Sequence, residues 1–314
     1  MPNNVSGNGT VWNLPNYAGE LFTSDAEQTP FLTMIGGLTD GGLQTANFEF
    51  PTDSQYSYPA ATQPAITETA SLTAPTAISY VRDQSKNVTQ IFHEKVSVSY
   101  AKMSNGGRLS GINTAGASNN VITEKDFQIS RALGKIARDV EYTFLNGTYQ
   151  IATSASVANK TRGMYNAVGS TVEAAGAQLS KGLLQQLFRT MYSNGAIFSN
   201  MVLWVNAYQK QKISDIYGYA PTDRNVGGVN IKQIETDFGN IGVMLNRFND
   251  TDKIGAFEMS VVAPVFQPVP GKGNFFYEEL SKNGAAEEGQ LYGQIGLDHG
   301  PVFMHGSITG LATS

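Results

Sequence analysis

Histidine and cysteine limit the metal and nucleophile chemistry that this 314-residue chain can offer. The sequence has no cysteine, which excludes thiolate metal sites and a cysteine nucleophile. Its three histidines are His93, His299 and His305. His93 lies in a strand-like stretch, where a surface or sheet role is more frequent than catalysis. His299 and His305 would be about 20 Å apart on one straight strand, and closer if the chain turns at Gly300–Pro301. We therefore predict no metal site.

Neighbouring carboxylates are the other groups that could do acid–base chemistry. Such catalysis needs two carboxyl groups held across a cleft with separated pKa values, and proximity in sequence provides neither. We interpret these pairs as surface charge and predict no catalytic residue. A hydrolase that uses Glu235 and Asp237 remains an alternative. The pairs are Asp25/Glu27, Glu235/Asp237, Glu278/Glu279 and Glu287/Glu288.

Glycine-rich loops offer no phosphate site. The run Gly271-Lys272-Gly273-Asn274-Phe275-Phe276 begins like a dinucleotide fingerprint but lacks the last glycine. The sequence contains no Gly-x4-Gly-Lys-Ser/Thr loop, no Gly-x-Ser-x-Gly elbow and no His-Glu-x-x-His motif. Nucleotide binding, serine hydrolysis and zinc proteolysis therefore lack their motifs. We expect no cofactor and no enzymatic activity.

The length and composition of the chain indicate the size and class of the fold that would carry such groups. A chain of 314 residues favours two packed domains with extensions. With 41% hydrophobic and 15% charged residues, the chain can bury a substantial core. No apolar run approaches the roughly 20 residues of a membrane-spanning helix. We therefore expect no membrane partner.

Charge is distributed unevenly along the chain. Residues 1–81 contain seven acids and no lysine or arginine, whereas the remaining residues hold 21 bases and 19 acids. This asymmetry predicts that the acidic segment contacts a basic partner surface; the alternative is a solvated arm that merely lacks bases. A basic arm that grips nucleic acid is excluded at this end. The acids are Glu20, Asp25, Glu27, Asp40, Glu49, Asp53 and Glu68.

A long hairpin follows the first predicted element, a short helix at residues 29–35. Apolar residues alternate around residues 47–50, 78–81 and 96–100, which predicts strands. Residues 51–76 between them hold four prolines, so this connection is irregular, and connections of such length are usually functional or disordered. Tyr56 and Tyr58 have no basic neighbours for nucleic-acid stacking. We predict that they anchor a protein interface.

The strongest helix signal begins at the capping-box spacing of Thr123 to Asp126. An apolar stripe then runs from Ile129 to Phe144 at steps of three and four, and Asn146–Gly147 ends the helix. The opposite face carries cations. We predict that it meets the acidic segment of a neighbouring copy, and the alternative is a solvated face with an i,i+4 Lys135/Asp139 pair. The cations proposed for the interface are Arg131, Lys135 and Arg138.

Residues 179–266 have the pattern of an α/β unit. Ser180 and Asn206 are positioned to cap two helices, and Met201–Val205 has the length and composition of a buried strand. Further strands are expected at 229–234, 241–245 and 257–262. Two final strands are expected at 289–295 and 301–308. The order of strands and helices predicts one mixed sheet with helices against it.

Taken in order, these parts resemble the major capsid proteins of tailed bacteriophages, which have the HK-97-like fold. The resembling segments span residues 16–311. They are Asn16-Tyr-Ala-Gly-Glu-Leu-Phe-Thr-Ser-Asp-Ala-Glu-Gln-Thr-Pro-Phe-Leu32, Asn87-Val-Thr-Gln-Ile-Phe92, Val96-Ser-Val-Ser99, Thr161-Arg-Gly163, Asp237-Phe-Gly239, Leu245-Asn-Arg247, Leu280-Ser-Lys-Asn-Gly284 and His305-Gly-Ser-Ile-Thr-Gly-Leu311.

The resemblance implies an α+β fold with five parts. Residues 1–40 would be an N-terminal arm and 41–100 an extended loop, a β-hairpin that lies on an adjacent subunit. Residues 101–174 would be a peripheral domain with a spine helix at 123–146. An α/β axial domain would follow at 175–260. Residues 261–314 would return as strands of the axial and peripheral domains.

The same resemblance implies function and partners. The chain would assemble into pentamers and hexamers of an icosahedral or prolate virion capsid, put together in the cytoplasm of a bacterial host. The head would enclose double-stranded DNA without sequence-specific contacts, and portal, scaffolding and decoration proteins are further expected partners. An encapsulin-like nanocompartment shell is the alternative with the same fold. The inter-subunit interface predicted from the residues and the resemblance comprises Glu20, Asp25, Glu27, Glu49, Asp53, Tyr56, Tyr58, Glu68, Arg131, Lys135 and Arg138.

Overall fold

The computed structural model describes residues 29–38, 42–56, 61–104, 124–217, 223–226, 229–281 and 284–313. Within this part of the chain the α-helices are α1 Pro30–Met34, α2 Glu68–Ser71, α3 Tyr100–Ser104, α4 Glu124–Asn146, α5 Lys181–Ser193 and α6 Ala207–Tyr217. The strands are β1 Leu43–Gln44, β2 Glu49–Tyr56, β3 Arg82–Val88, β4 Gln90–Ser99, β5 Ser170–Glu173, β6 Met201–Val205, β7 Asp223–Val226, β8 Val229–Thr236, β9 Gly239–Leu245, β10 Ile254–Glu258, β11 Ala263–Phe266, β12 Phe275–Glu279, β13 Ala286–Asp298 and β14 Gly306–Thr309. None of the helices in the described residues is long and apolar enough to cross a membrane.

A mixed seven-stranded sheet has the order β5-β14-β10-β6-β9-β8-β7. The pairs β5/β14 and β6/β9 are parallel, and the others are antiparallel. Helices α5 and α6 bury apolar residues in a core shared with this sheet. Each helix begins where a polar side chain satisfies an early backbone N–H: the Ser180 hydroxyl accepts from Leu183, and the Asn206 side chain accepts from Gln209. Both predicted caps are confirmed.

A second sheet is built around the 13-residue strand β13. One edge of β13 pairs antiparallel with β4 over ten residues, and the other edge pairs with β12 and then β11. Helix α4 covers this sheet with Ile136, Val140 and Phe144. The predicted helix is confirmed, but its buried stripe is shorter than predicted, because Leu133 is 42% exposed.

The two sheets share a hydrophobic cluster. Trp204 of β6 and Phe257 of β10 belong to the same buried cluster as Ile295 and Leu297 of β13. Phe31 of α1 is fully buried there, with its ring 5.2 Å from that of Trp204 in an edge-to-face arrangement. The short helix α1 is therefore part of the core between the sheets.

Strands β2 and β3 form a separate two-stranded hairpin. A register shift between Pro51 and Asp53 interrupts its pairing, as in a β-bulge. The predicted strand at 78–81 is wrong: β3 begins at Arg82, which pairs with Tyr56, the last residue of β2. Beyond that pair neither strand has a partner among the described residues.

Two other observed strands differ from their predicted bounds, one at its end and one at its beginning. The strand expected at 257–262 stops at Glu258, because a 3-10 turn at Met259–Val261 follows and the Glu258 carboxylate accepts from Ser260. The strand expected at 301–308 is β14, which begins only at Gly306, after a 3-10 turn at Val302–Met304. In both places a turn held by local hydrogen bonds replaces extended chain.

Candidate inter-subunit surfaces

The tip of the β2–β3 hairpin is exposed along its described length. Every residue from 61 to 81 is exposed, although the segment includes large apolar side chains. Ile66 is 71% and Leu72 84% exposed, on either side of the short helix α2. The side chain of Thr67 caps this helix by accepting from Ala70. Contiguous exposed apolar groups mark an interaction surface, so the tip, residues 61–81, is the first candidate surface.

The predicted acidic interface residues on the hairpin have different surroundings. Glu49 forms an ion pair with Lys86 of the facing strand at 3.2 Å. Asp53 is partly buried, and its Oδ2 has no hydrogen-bond partner among the residues that the structure describes. Glu68 is exposed in the first turn of α2. Glu20, Asp25, Glu27 and Tyr58 lie outside the described residues, as does the side chain of Tyr56.

The predicted cations of α4 have partners within their own chain. Lys135 pairs with Glu94 of β4 and, at 3.1 Å, with Asp139. These carboxylates, Glu94 foremost, raise the pKa of Lys135. The guanidinium of Arg131 lies 5.6 Å from the ring centre of Phe127. The i,i+4 pair that the sequence offered as the alternative is therefore present, and the inter-subunit role of this face remains a proposal.

A groove runs between β4 and the second half of α4. We call it the α4 groove; its volume is about 680 Å³. Ile91 and Tyr142 are 54% and 55% exposed, and the ring of Phe248 meets that of Tyr142 edge to face at 6.4 Å. The lining residues are Gln90, Ile91, Phe92, His93, Glu94, Lys135, Arg138, Asp139, Tyr142, Thr143 and Phe248.

A buried carboxylate joins α1 to α4. Glu141 is fully buried and accepts the backbone N–H groups of Phe31 at 2.9 Å and Leu32 at 2.7 Å. The side-chain amide of Asn246 donates to the same carboxylate. Burial raises the pKa of Glu141 to about 7, although all three hydrogen bonds favour the charged form. This contact fixes the first described residues to the body of the subunit.

The two C-terminal histidines lie close together, as expected for a turn at Gly300–Pro301 and not for one straight strand. The chain turns at Gly300, and His305 Nε2 lies 2.6 Å from the carbonyl oxygen of His299. His305 Nε2 must therefore carry the proton, and Nδ1 accepts from the backbone N–H of Glu258 at 3.3 Å. Burial lowers the pKa of His305 to about 4. Both rings are buried, and His305 serves as a neutral structural link.

The carboxylates of the hydrolase alternative line a small cleft. Glu235 and Asp237 are exposed beside Lys181, Tyr217 and Phe238, around a volume of about 310 Å³. The β8–β9 turn that carries them is closed by the Thr236 hydroxyl, which donates to the carbonyl oxygen of Gly239 at 2.7 Å. Among the residues that the structure describes, no three histidine or carboxylate groups come together to hold a metal ion.

Comparison with known proteins identifies the family of the chain. The model of the family described as SU10 major capsid protein matches residues 4–312. The chain belongs to this family. The SU10 major capsid proteins have a structural role in a virion capsid, and this chain shares it. No curated protein sequence matches the chain significantly.

Solved structures confirm the HK-97-like fold for this SU10 family member. The "Cyanophage A-1(L) capsid asymmetric unit" aligns with a TM-score of 0.65 at 11% identity, covering 96% of this chain and 97% of that chain. "The capsid of Myoviridae Phage XM1" aligns at 0.59 and 12%, covering 95% and 97%. The holo-SrpI encapsulin complex from Synechococcus elongatus PCC 7942 aligns at 0.60 and 11%, covering 96% and 94%. The predicted family and fold class are confirmed.

Sequence reasoning missed the buried anchors of this SU10 family member. Glu141 received no assignment from the sequence, although it lies one turn before Leu145 and on the same face as Phe144. Glu258 is also buried, and accepts from Asn200 N–H at 2.7 Å and from Ser199 Oγ at 2.9 Å. Helical spacing could have revealed Glu141, but no pattern in the sequence marks Glu258.

Proposed function

We propose that copies of this chain form pentamers and hexamers of an icosahedral or prolate head that encloses double-stranded DNA without sequence-specific contacts. The exposed apolar tip at residues 61–81 is the observation that carries the proposal. A single subunit gains nothing by exposing Ile66 and Leu72, whereas a neighbouring copy can cover them. Repetition of that contact around a ring produces a closed assembly.

The proposal assigns the parts of the chain to this assembly. Residues 1–40 serve as the arm and 41–100 as the extended loop, and both contact neighbours. Residues 101–174 form the peripheral domain around α4, and 175–260 the axial domain with the seven-stranded sheet. Residues 261–314 return to both, which agrees with β13 lying in one sheet and β14 in the other.

The proposed interface uses the arm acids Glu20, Asp25 and Glu27 together with the loop and the cationic face of α4. Assembly takes place in the cytoplasm of a bacterial host, with portal, scaffolding and decoration proteins as further partners, and the chain has no catalytic activity. The structural use of Glu141, Glu258 and His305 supports the last point, because each is buried and hydrogen-bonded within the fold.

Electron microscopy of the expressed full-length chain tests the proposal. We expect closed particles built from five- and six-fold rings of subunits, and DNA inside particles recovered from infected cells. Particles that contain a cellular enzyme in place of DNA would favour the nanocompartment alternative. A chain that stays monomeric under all assembly conditions would refute both.

Charge reversal on the loop tip tests the role of the acidic segment. Glu68 is the cleanest position, because Glu49 is paired with Lys86 within the hairpin and Asp53 is partly buried. We expect Glu68→Lys to reduce the yield of particles several-fold at about 0.05 M salt, and much less at about 0.5 M, since salt screens exposed charges. Glu68→Gln should fall between wild type and Glu68→Lys. A yield that does not depend on charge at low salt would leave the acidic segment without this role.

A further inference from the structure

The hairpin formed by β2 and β3 leaves the body of the subunit at a sharp boundary. Residues 87–89 are buried, whereas β3 is mostly exposed from its first residue to Lys86. On the facing strand Phe50, the register partner of Asn87, is also buried. The Asn87/Phe50 pair therefore marks the foot of the hairpin, and the contacts of this pair with the body determine the direction in which the tip projects.

The side-chain amide of Asn87 uses both of its hydrogens and both lone pairs of its oxygen. Nδ2 donates to the carbonyl oxygens of Leu297 at 2.7 Å and Arg162 at 3.1 Å. Oδ1 accepts the backbone N–H groups of Arg162 at 2.8 Å and Val88 at 2.9 Å. The amide thus bonds reciprocally with Arg162, as a peptide group does in a β-ladder. It joins the hairpin both to β13 and to the loop that carries Arg162.

The contact with Leu297 takes the place of strand pairing. β4 begins at Gln90, which pairs with Ile295, so the pairing of β4 with β13 ends before Leu297. The backbone of Leu297 is bonded by side chains: its carbonyl oxygen accepts from Asn87, and its N–H donates to Thr161 Oγ1 at 3.2 Å. Buried backbone groups need such partners. Asn87 therefore lets the chain leave the sheet at the foot of the hairpin without leaving this carbonyl unpaired.

The facing strand of the hairpin lies against the same short stretch of β13. A Cβ atom at Gly296 would lie 2.8 Å from both a ring carbon of Phe50 and the carbonyl oxygen of Val88, closer than side-chain carbons approach other atoms in proteins. Glycine inside a strand commonly marks such a close approach of another chain segment. Gly296 and Leu297 are adjacent, so both strands of the hairpin foot are held at one place on the body.

We propose that Asn87 is a positioning residue for assembly: its amide fixes the angle between the hairpin and the body, so that the tip meets a neighbouring copy in one direction. This inference deepens the proposed function, on which its effect on assembly rests. Aspartate cannot donate to the carbonyl oxygens of Leu297 and Arg162, and serine has a single hydrogen to donate. A subunit that lost the amide would keep both sheets but present its tip over a range of directions.

Distances measured by pulsed electron paramagnetic resonance test this angle directly. The natural chain has no cysteine, so nitroxide labels can be attached at Gln84→Cys on β3 and Leu133→Cys on α4, both exposed positions. In the monomeric full-length chain we expect one narrow distribution of distances between the labels. Asn87→Ala should broaden this distribution at least twofold. In unlabelled chains the same substitution should reduce the yield of particles per folded subunit at least tenfold.

The matched control removes a comparable set of buried hydrogen bonds elsewhere. Nδ2 of the buried Asn249 donates to the carbonyl oxygens of Trp204 and Lys253. Its Oδ1 accepts from the hydroxyl of Tyr165. Asn249→Ala should lower the stability of the subunit to a similar degree, but keep the width of the distribution and the yield of particles per folded subunit within about twofold of wild type. A merely structural role for Asn87 would make the two variants alike.

Several results would overturn the proposal. A labelled chain with Asn87 intact that already shows several separated distances has no fixed hairpin angle, and this measurement needs no change at Asn87. An unchanged width in Asn87→Ala, or in the milder Asn87→Ser if the alanine variant does not fold, contradicts the role of the amide. Equal broadening in Asn249→Ala, or broadening at Asn87 without loss of particles, does the same. A wild-type chain that forms no particles refutes the proposed function, and the distances alone then decide the inference.

Discussion

Substitution of Ile66 and Leu72 by serine should abolish particle formation while the subunit remains folded. Both side chains are exposed in the subunit, so the free energy of unfolding should change by no more than about 0.5 kcal/mol. In the shell each side chain would contribute roughly 1.5 to 3 kcal/mol when buried on a neighbour. Loss of both weakens every copy of the contact at least about a hundredfold. Analytical ultracentrifugation and electron microscopy measure the assembly, and thermal unfolding measures the fold.

The matched control replaces two exposed aliphatic residues elsewhere by serine. Ile151 and Leu245 are 42% and 50% exposed and lie outside the hairpin. Their replacement should leave the yield of particles within about twofold of wild type. Wild-type assembly of the Ile66/Leu72 variant, or loss of its folded state, would show that the tip does not act as an inter-subunit contact.

The pH dependence of subunit stability should contain two opposing contributions. Glu141, whose pKa rises from 4.5 to about 7 on folding, holds its proton more firmly in the folded chain. Its favourable contribution is complete below about pH 4.5 and is lost as the pH rises to about 7. His305, whose pKa falls from 6.5 to about 4, contributes fully above about pH 6.5 and loses this as the pH falls to about 4. The free energy of unfolding of the wild-type subunit should therefore change little between these limits.

Single substitutions should expose each contribution. For Glu141→Gln, we expect the free energy of unfolding to rise by about 3 kcal/mol between pH 4.5 and 6.5, because the His305 contribution is no longer opposed. For His305→Gln, it should fall by about 3 kcal/mol between pH 4.5 and 7. Urea unfolding of monomeric subunits at a series of pH values measures both slopes. Two variants that share one flat profile would contradict the assignment of these groups.

Helices were predicted better than strands because their signals are local. The stripe of α4 and the caps at Ser180 and Asn206 depend on neighbours within a few residues. The pairing of β4 with β13 joins residues 187 to 205 positions apart, and no periodicity in either strand predicts which strand it pairs with. The end of β10 depends on the Glu258 carboxylate, which accepts from Ser199 and Asn200 in another loop.

The candidate surfaces show the same difference between local and long-range signals. The hairpin tip followed from composition, since a proline-rich segment with apolar residues and no bases has no core to join. The ion-pair partners of Glu49 and Lys135 could not be predicted from composition. An uneven distribution of charge along the sequence does not identify which strand or helix lies opposite a given residue. The shared core of Phe31 and Trp204 was also invisible in sequence, since it depends on how two sheets meet.

The position of the last strands has a consequence for synthesis on the ribosome. β14 lies between β5 and β10, and β13 lies between β4 and β12, so neither sheet is complete until the C-terminal residues have emerged. At roughly 5 to 20 residues per second, β4 waits about 10 to 40 s for its partner strand. A chain released early keeps the open edges of β4, β5 and β10 and cannot present a finished subunit. A chain that ends before β14, whose last residue is Thr309, should therefore fail to assemble, because its seven-stranded sheet lacks an inner strand.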